Sequence, residues 1–226
     1  MRFKHVIKSW LGALLIPWLV PAMFASPITV PPGDQPCAAL KNATILIIRH
    51  AEKPEEGPEL APAGLLRAKA YVGYFQAFQM DGQPVKLDHI FCTADSAGSH
   101  RPRSTVEPLS QALKLPFDNR FRTKNPGALT GEIRSQAHGK NILICWHHGE
   151  IPAVLAGLGA NPTAVLPGGK WPEDVFGWLV ELRYDDLGRL QTAQCVHENL
   201  MPDDQMGPAA AGNKSPGSVL TTESTQ

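Results

Sequence analysis

The hydrophobic residues of this chain fall into short continuous runs, separated by segments with helical spacing. Residues 44–48 (TILII) and 141–146 (NILICW) are apolar nearly throughout, which is typical of strands buried on both faces of a sheet. A third run, residues 87–93 (LDHIFCT), also predicts a strand. Between the first two of these strands in chain order, helical spacing predicts an amphipathic helix with one apolar face formed by Leu65, Ala68, Val72 and Phe75.

Two prolines predict further helices, because proline is favoured in the first helical turn. Pro102 begins one helix, and Pro152 begins another that ends near Gly159. The remaining predicted elements are a weaker helix over about residues 128–137 and a hairpin of two strands, residues 176–184 and 189–196. Strands that alternate with helices predict an α/β fold, a three-layer sandwich with a mostly parallel central sheet and helices on both faces.

Histidine and arginine residues follow shortly after each of the three apolar strands. The segments are residues 49–54 (RHAEKP), 99–105 (SHRPRST) and 147–152 (HHGEIP). The carboxyl ends of parallel strands meet at one edge of the sheet, where ligands of such folds bind. We therefore expect these three segments to form one site.

The residue types in this predicted site suit the transfer of a phosphoryl group. Arginine offers a rigid fork of donors that matches the oxygens of a phosphate. A histidine nitrogen can attack phosphorus and form a covalent intermediate, which splits one difficult displacement into two. A second histidine can donate to the transferring oxygens, and the helices that begin near Pro102 and Pro152 would add positive dipole ends.

The overall charge is balanced, so any anion binding would depend on a local cluster of basic residues. The 226 residues include 21 Lys and Arg against 21 Asp and Glu, so the basic bias typical of nucleic-acid partners is absent. No HxH or HExxH pattern occurs among the eight histidines, which argues against metal ligation by the histidine pair at 147–148. We expect neither a metal nor a cofactor.

The two ends of the chain differ in composition from the part between them. Residues 1–25 have the features of an export signal: basic residues at the start, an apolar stretch over residues 10–24, and the small residues Ala25 and Ser26 for cleavage. We expect an exported, periplasmic or secreted protein without stable membrane insertion; an uncleaved membrane anchor is the alternative. The predicted divisions that follow are an extended lead-in at 26–43, a folded domain at 44–201 and a disordered tail at 202–226.

The four cysteines leave two interpretations open. Cys37, Cys92, Cys145 and Cys195 could pair in an oxidising compartment, where four cysteines allow three connectivities. Alternatively, Cys92 and Cys145 are small core residues, because both lie at the ends of apolar runs. No CxxC element supports a zinc ribbon or a redox motif.

Several segments together resemble the histidine phosphatase superfamily, also called phosphoglycerate mutase-like. Their order and strand context make the resemblance more specific than any one motif, and it spans about residues 44–197. The similar segments are IIRHAEKP (the RHG signature), LAPAGLLRA (LT..G..RA), RPRSTVEPLSQAL (RA..TA..L, with Arg101 and Thr105 four apart), NILICWHHGEIPAVLAGLG (the second catalytic motif) and KWPEDVFGWLVELRYDDLG (the terminal strand region).

The resemblance implies roles for particular residues. His50 would be the nucleophile that becomes phosphohistidine, and Arg49 and Arg101 would bind the phosphoryl oxygens. The second histidine would be His147 or His148: one form of the motif favours His147, and another, closer in sequence, favours His148. We expect His148.

The proton donor to the leaving group is left open by the sequence. Members of the superfamily place an acid directly after the second histidine or in a loop, and Gly149 holds the direct position if His148 leads. The acidic residues that could serve are Glu150, Glu52, Asp118 and Glu132.

The sequence therefore predicts a metal-independent phosphatase that hydrolyses a phosphate monoester through a phosphohistidine on His50. The alternatives are a phosphomutase, which returns the phosphoryl group to its substrate, and a catalytically inactive member of the fold that binds anions. The substrate would be a small phosphate ester or a phosphoprotein. We expect residues 53–62 and 116–130 to determine its selectivity.

Overall fold

Strands and helices alternate along the chain in the computed structural model, which describes residues 38–205. A single turn of 3-10 helix, Ala38–Leu40, precedes the first strand. The elements in chain order are β1 (Thr44–Arg49), α1 (Pro62–Gln76), β2 (Gln79–Met80), β3 (Gln83–Pro84), β4 (His89–Thr93), α2 (Arg101–Leu113), β5 (Phe117–Phe121), α3 (Pro126–Gln136), β6 (Asn141–Trp146), α4 (Ile151–Gly157), α5 (Pro162–Val165), β7 (Trp178–Tyr184) and β8 (Leu190–His197).

The central sheet has six strands in the order β5-β4-β6-β1-β7-β8. The first four are parallel to one another, whereas β7 runs antiparallel to β1 and β8 antiparallel to β7. The mostly parallel sheet and the terminal hairpin predicted from the sequence are thus confirmed. The carboxyl ends of β1, β4, β5 and β6 lie at the same edge of the sheet.

Helices cover both faces of this sheet. Alternate residues of β1 separate the two core layers: Ile48 packs with the residues of α1 and α2, and Ile47 packs with those of α3 and α4. Strand β6 divides in the same way, with Cys145 in the first layer and Ile144 in the second. These two layers confirm the three-layer α/β sandwich and explain why both strands are apolar throughout.

The structure contains the short strands β2 and β3 and the helix α5, which were not expected, and it departs from the sequence-based elements at two further places. Strand β5, with the sequence FDNRF, was not expected, because three of its five residues are polar. It is an edge strand, paired only with β4, and its side chains are mostly only partly buried. Helix α1 forms as predicted and buries the expected Ala68 and Phe75, but Leu65 is about half exposed, and the buried face also contains Arg67 and Tyr71.

Helix α1 packs directly on the loop that follows β1. The backbone N–H of Ala61 donates to the carbonyl oxygen of Glu52 (2.9 Å). A Cβ atom at Gly64 would lie 2.5 Å from the same carbonyl oxygen, a distance that only a backbone shift could relieve. The glycine of the LAPAGLLRA segment therefore allows α1 to approach the loop that carries His50.

The side chain of Arg67 connects helix α1 to three other parts of the fold. It is buried and contacts Glu52 in the loop after β1 (2.7 Å), Asp204 near the end of the described chain (2.6 Å) and Glu198 just after β8 (3.5 Å). The hydroxyl of Tyr71 donates to Glu198 (3.0 Å). Burial raises the pKa of Glu198 well above its usual value, and Arg67 counteracts part of that rise.

The position of Asp204 corrects one predicted boundary. The sequence placed a disordered tail at 202–226, yet Pro202–Gln205 form a 3-10 helix, because Arg67 and the backbone N–H groups of Leu200 and Met201 bind Asp204. The rest of that tail, the export signal at 1–25 and most of the lead-in lie outside the described residues. Within residues 38–205, the helices are all too short or too polar for a membrane crossing.

We expect Arg67→Ala to lower the free energy of unfolding by about 3–5 kcal/mol, because the change leaves buried carboxylates without their cation. Urea denaturation measures the effect, with Lys69→Ala as the control. Lys69 is an exposed residue of the same helix, so its loss should cost little. Equal losses in the two variants would contradict a stabilising role for the Arg67 cluster.

Candidate active site

His50 follows β1 directly, and its ring is buried. Its Nδ1 lies 2.7 Å from the carbonyl oxygen of Ala51. Because a carbonyl only accepts hydrogen bonds, Nδ1 must carry the proton, which leaves the lone pair on Nε2. Burial is the main cause that lowers the pKa of His50 to about 3, and the charge of Arg49 lowers it further. The imidazole is therefore a neutral base at neutral pH, with Nε2 unprotonated.

The second histidine beside His50 is His147. The two ring centroids lie 5.0 Å apart, edge to face. Strands β1 and β6 pair in register, with Arg49 opposite Trp146, so the next residue of each strand falls side by side. Burial lowers the pKa of His147 to about 4, with a further contribution from the nearby Arg101.

This geometry favours His147 over His148, which the sequence analysis preferred. The backbone is extended at His147 and begins a 3-10 turn at His148, so the rings of the two histidines point in different directions. Nδ1 of His148 lies 3.3 Å from the carbonyl oxygen of Trp171. His148 still lines the same cavity as His50.

The guanidinium of Arg49 is held by the segment before β7. Its Nη1 donates to the carbonyl oxygens of Pro172 (3.1 Å), Glu173 (2.7 Å) and Val175 (2.7 Å). The ring of Phe176 lies 3.8 Å from the guanidinium carbon. Nε and Nη2 are buried without a hydrogen-bond partner. Burial lowers the pKa of Arg49 to about 10, so the group stays charged at neutral pH with two donors free for an anion.

Arg101 enters the cavity from the first residue of α2. Its Nη1 donates to the carbonyl of Gly57 (2.9 Å) and its Nη2 to that of Gly98 (3.3 Å), while Nε is buried without a partner. One turn later, the Thr105 hydroxyl donates to the Arg101 carbonyl (2.7 Å) and accepts from the backbone N–H of Ala51 (2.9 Å). The four-residue spacing of the predicted motif thus connects α2 to the loop that carries the nucleophile.

The cavity at this edge of the sheet has a volume of about 280 Å³ and a polar lining. Lys53, Thr123 and Lys124 belong to it, and all three lie in the segments 53–62 and 116–130 that were expected to determine selectivity. Lys53 pairs with Glu173 and Lys124 with Glu150. The complete lining is Arg49, His50, Lys53, Arg101, Thr123, Lys124, His147, His148, Gly149 and Glu150.

Of the four candidate proton donors, only Glu150 lines this cavity. Glu52 turns away from it and binds Arg67, as described above. The other two pair with Arg120 at the sheet edge, Asp118 at 3.0 Å and Glu132 at 2.8 Å. The ion pairs therefore direct three of the four carboxylates away from the nucleophile.

The cysteines described by the structure have free thiols: Cys92, Cys145 and Cys195. Cys92 and Cys145 are neighbours on β4 and β6, and both are buried, which agrees with the interpretation as core residues. Disulfide pairing, the other interpretation, is not found among these three, and Cys37 lies outside the described residues. Over residues 38–205, no group of three or more His, Cys, Asp or Glu is arranged to hold a metal ion.

Comparison with solved structures finds distant similarities to phosphatases and a mutase. SixA from Agrobacterium tumefaciens is 19% identical, with a TM-score of 0.47 over 67% of this chain and 97% of that one. A phosphoserine phosphatase from Entamoeba histolytica is 14% identical (TM-score 0.45; 66% and 95% covered). A phosphoglycerate mutase from Plasmodium falciparum is also 14% identical (TM-score 0.44; 80% and 98% covered). No protein-family model and no curated protein sequence matches.

The chain resembles the histidine phosphatase superfamily. Its motifs occur in the expected order, and Arg49, His50, Arg101 and the histidine pair meet in one cavity. Identities below 20% and TM-scores below 0.5 leave the chemistry and substrate to be argued from the site itself.

The lowered pKa of His147 in this histidine-phosphatase-like site predicts a pH-dependent stability. Below about pH 6.5 the unfolded chain protonates this residue, whereas the folded chain does so only near pH 4. The contribution of His147 to the free energy of unfolding is therefore fully present above pH 6.5 and is lost as the pH falls toward 4. When the pH is lowered from 7.5 to 5, the free energy of unfolding should fall by about 2 kcal/mol less in His147→Asn than in the wild type. Urea denaturation at each pH measures this, and identical pH dependence in both proteins would contradict it.

Proposed function

We propose that this protein is a phosphatase that hydrolyses phosphate monoesters through a phosphohistidine on His50. The observation that carries the proposal is the hydrogen bond from Nδ1 of His50 to the carbonyl of Ala51 (2.7 Å). It fixes the tautomer with a free lone pair on Nε2. That nitrogen lies in a cavity whose two arginines have unpartnered buried donors.

In the first step, Nε2 of His50 attacks phosphorus and the bond from phosphorus to the leaving oxygen breaks. The neutral imidazole of His50 supplies the electron pair. The guanidinium groups of Arg49 and Arg101 stabilise the negative charge on the peripheral oxygens of the phosphoryl group. His147, whose ring centroid lies 5.0 Å from that of His50, donates a hydrogen bond to one of these oxygens. The departing oxygen takes a proton from Glu150 in its neutral form, and the carboxylate that this leaves in the cavity pairs with Lys124.

In the second step, water attacks the phosphorus of the phosphohistidine. The bond between phosphorus and Nε2 breaks, its electron pair returns to His50, and Glu150 accepts the proton that the water loses. The products are inorganic phosphate and the neutral imidazole. The hydrogen bond to Ala51 orients the ring through both steps, so the same lone pair is restored for the next turnover.

We expect His50→Ala to lower the turnover of para-nitrophenyl phosphate by several orders of magnitude, since it removes the nucleophile. His147→Ala should lose about 10²–10³-fold, comparable with the loss of another transition-state donor, and His148→Ala clearly less. His138→Ala, an exposed residue just before β6, is the matched control. The assay contains a chelator and measures released phosphate.

Three results of this assay would contradict the proposal. Activity that the chelator abolishes would indicate a metal-dependent reaction. With a phosphate ester that carries a second hydroxyl group, isomerised ester without released phosphate would indicate a phosphomutase. Binding of the ester without turnover in the wild type would indicate an inactive member of the fold. A larger loss for His148→Ala than for His147→Ala would instead reverse the roles of the two neighbouring histidines.

We expect Arg49→Lys to lower kcat by about 10²–10³-fold. A lysine ammonium cannot satisfy the carbonyl oxygens of the 172–175 segment and also present a second planar pair of donors to phosphate. Arg103→Lys is the control: Arg103 lies beside Arg101 but binds Asp95 and Glu107. If both lysine variants keep wild-type kcat, the geometry of the Arg49 guanidinium has no part in the reaction.

A further inference from the structure

A second cavity continues from the candidate active site along the same edge of the sheet. It has a volume of about 600 Å³ and is larger than the catalytic cavity. Thr123 and Lys124 line both cavities, so the two are parts of one cleft. The remaining lining residues of the second cavity are Ala94, Asp95, Ser96 and Arg122.

The strand order gives the distance between the two parts of the cleft. The catalytic cavity lies beyond the ends of β1 and β6, whereas the second cavity is formed by the segments after β4 and β5. The order β5-β4-β6-β1 places these two pairs of strands two spacings apart. Since neighbouring strands lie about 4.8 Å apart, the two parts are separated by about 10 Å.

The charges of the second cavity favour an anion. Lys124 is paired with Glu150, and Asp95, the carboxylate of the lining, is held by Nε of Arg103 at 2.8 Å. Arg122 is exposed, and its guanidinium has neither an ion pair nor a hydrogen bond with any residue of the 38–205 region. The fold thus places a free guanidinium at the far end of the cleft, three strand spacings or about 14 Å from the strand that carries the nucleophile.

We propose that the substrate is a small phosphate ester with a second anionic group, a phosphate or a carboxylate, which binds at Arg122 and Thr123 while His50 attacks the ester. This inference rests on the proposed function and names the substrate class for the same site. Arg122 supplies a charge-assisted fork of donors, and Thr123 adds a hydroxyl at the junction of the two cavities. A chain of several bonds between the two anionic groups spans the cleft.

The test compares alkanediol bisphosphates of increasing length with the alkyl monophosphates of the same length. Wild type should prefer the bisphosphate, most strongly at a length that spans about 10–14 Å. Arg122→Ala should lower kcat/KM for that bisphosphate about ten-fold, the lower end for a hydrogen bond to a charged group, and leave the monophosphate unchanged. The control is Arg120→Ala, because Arg120 pairs with Asp118 and Glu132 and lines neither cavity.

Equal kcat/KM values for the two ester series in wild type, or equal losses for both in Arg122→Ala, would overturn the second subsite. So would an effect of Arg120→Ala as large as that of Arg122→Ala, since it would indicate a general effect of charge. Calorimetric binding to His50→Ala separates this result from the proposed function. In that protein, tighter binding of the bisphosphate that depends on Arg122 supports the subsite even without turnover, and equal binding of both esters refutes it.

Discussion

The parallel pairing of β1 with β6 is the constraint on which the candidate site depends. Arg49 lies opposite Trp146, and the backbone N–H of His50 still donates to the Trp146 carbonyl (3.0 Å). The register therefore extends beyond the strands and places His50 beside His147. A slip of one residue would turn each apolar side chain of the moved strand to the opposite face. Since both faces of both strands are buried, the packing of the core also fixes the histidine pair.

The electrostatics of the site follow from its burial. Removing the imidazoles from water disfavours their charged forms, so a cavity beside two guanidinium groups contains histidines that stay neutral. Neutrality suits His50, since only the free base can attack phosphorus. Burial disfavours the charge of Arg49 as well, but three backbone carbonyl oxygens and the face of Phe176 compensate for the lost hydration. The segment before β7 thus holds the cation through backbone carbonyl oxygens, and the nearby carboxylates of Glu52 and Glu173 also favour its charged form.

The sequence predicted the central strands because they are apolar, and it predicted α2 and α4 because they begin at prolines; the polar edge strand β5 lacks such a signal. It also predicted which strand ends carry the site, since that follows from the topology of parallel sheets. The choice between His147 and His148 depends on strand register, which no local pattern encodes. The buried face of α1 was predicted only in part, for a different reason. Because Arg67 is charged, a prediction from hydrophobicity does not include it in the buried face. Its tertiary contacts with Glu52, Glu198 and Asp204 allow it to be buried.

In the proposed enzyme, the central strands position the catalytic histidines, and the segment after the edge strand contributes to substrate selectivity. Strands β1 and β6 carry the nucleophile and its partner, and each is paired on both sides. Strand β5 is paired on one side only, and the segment after it supplies Thr123 and Lys124 to the cleft. A change in that segment disturbs one strand pairing at most, whereas a change in β1 or β6 alters the register that aligns the two histidines. The position of Arg122 beyond the edge strand therefore suits selectivity for a substrate better than it suits the chemical step.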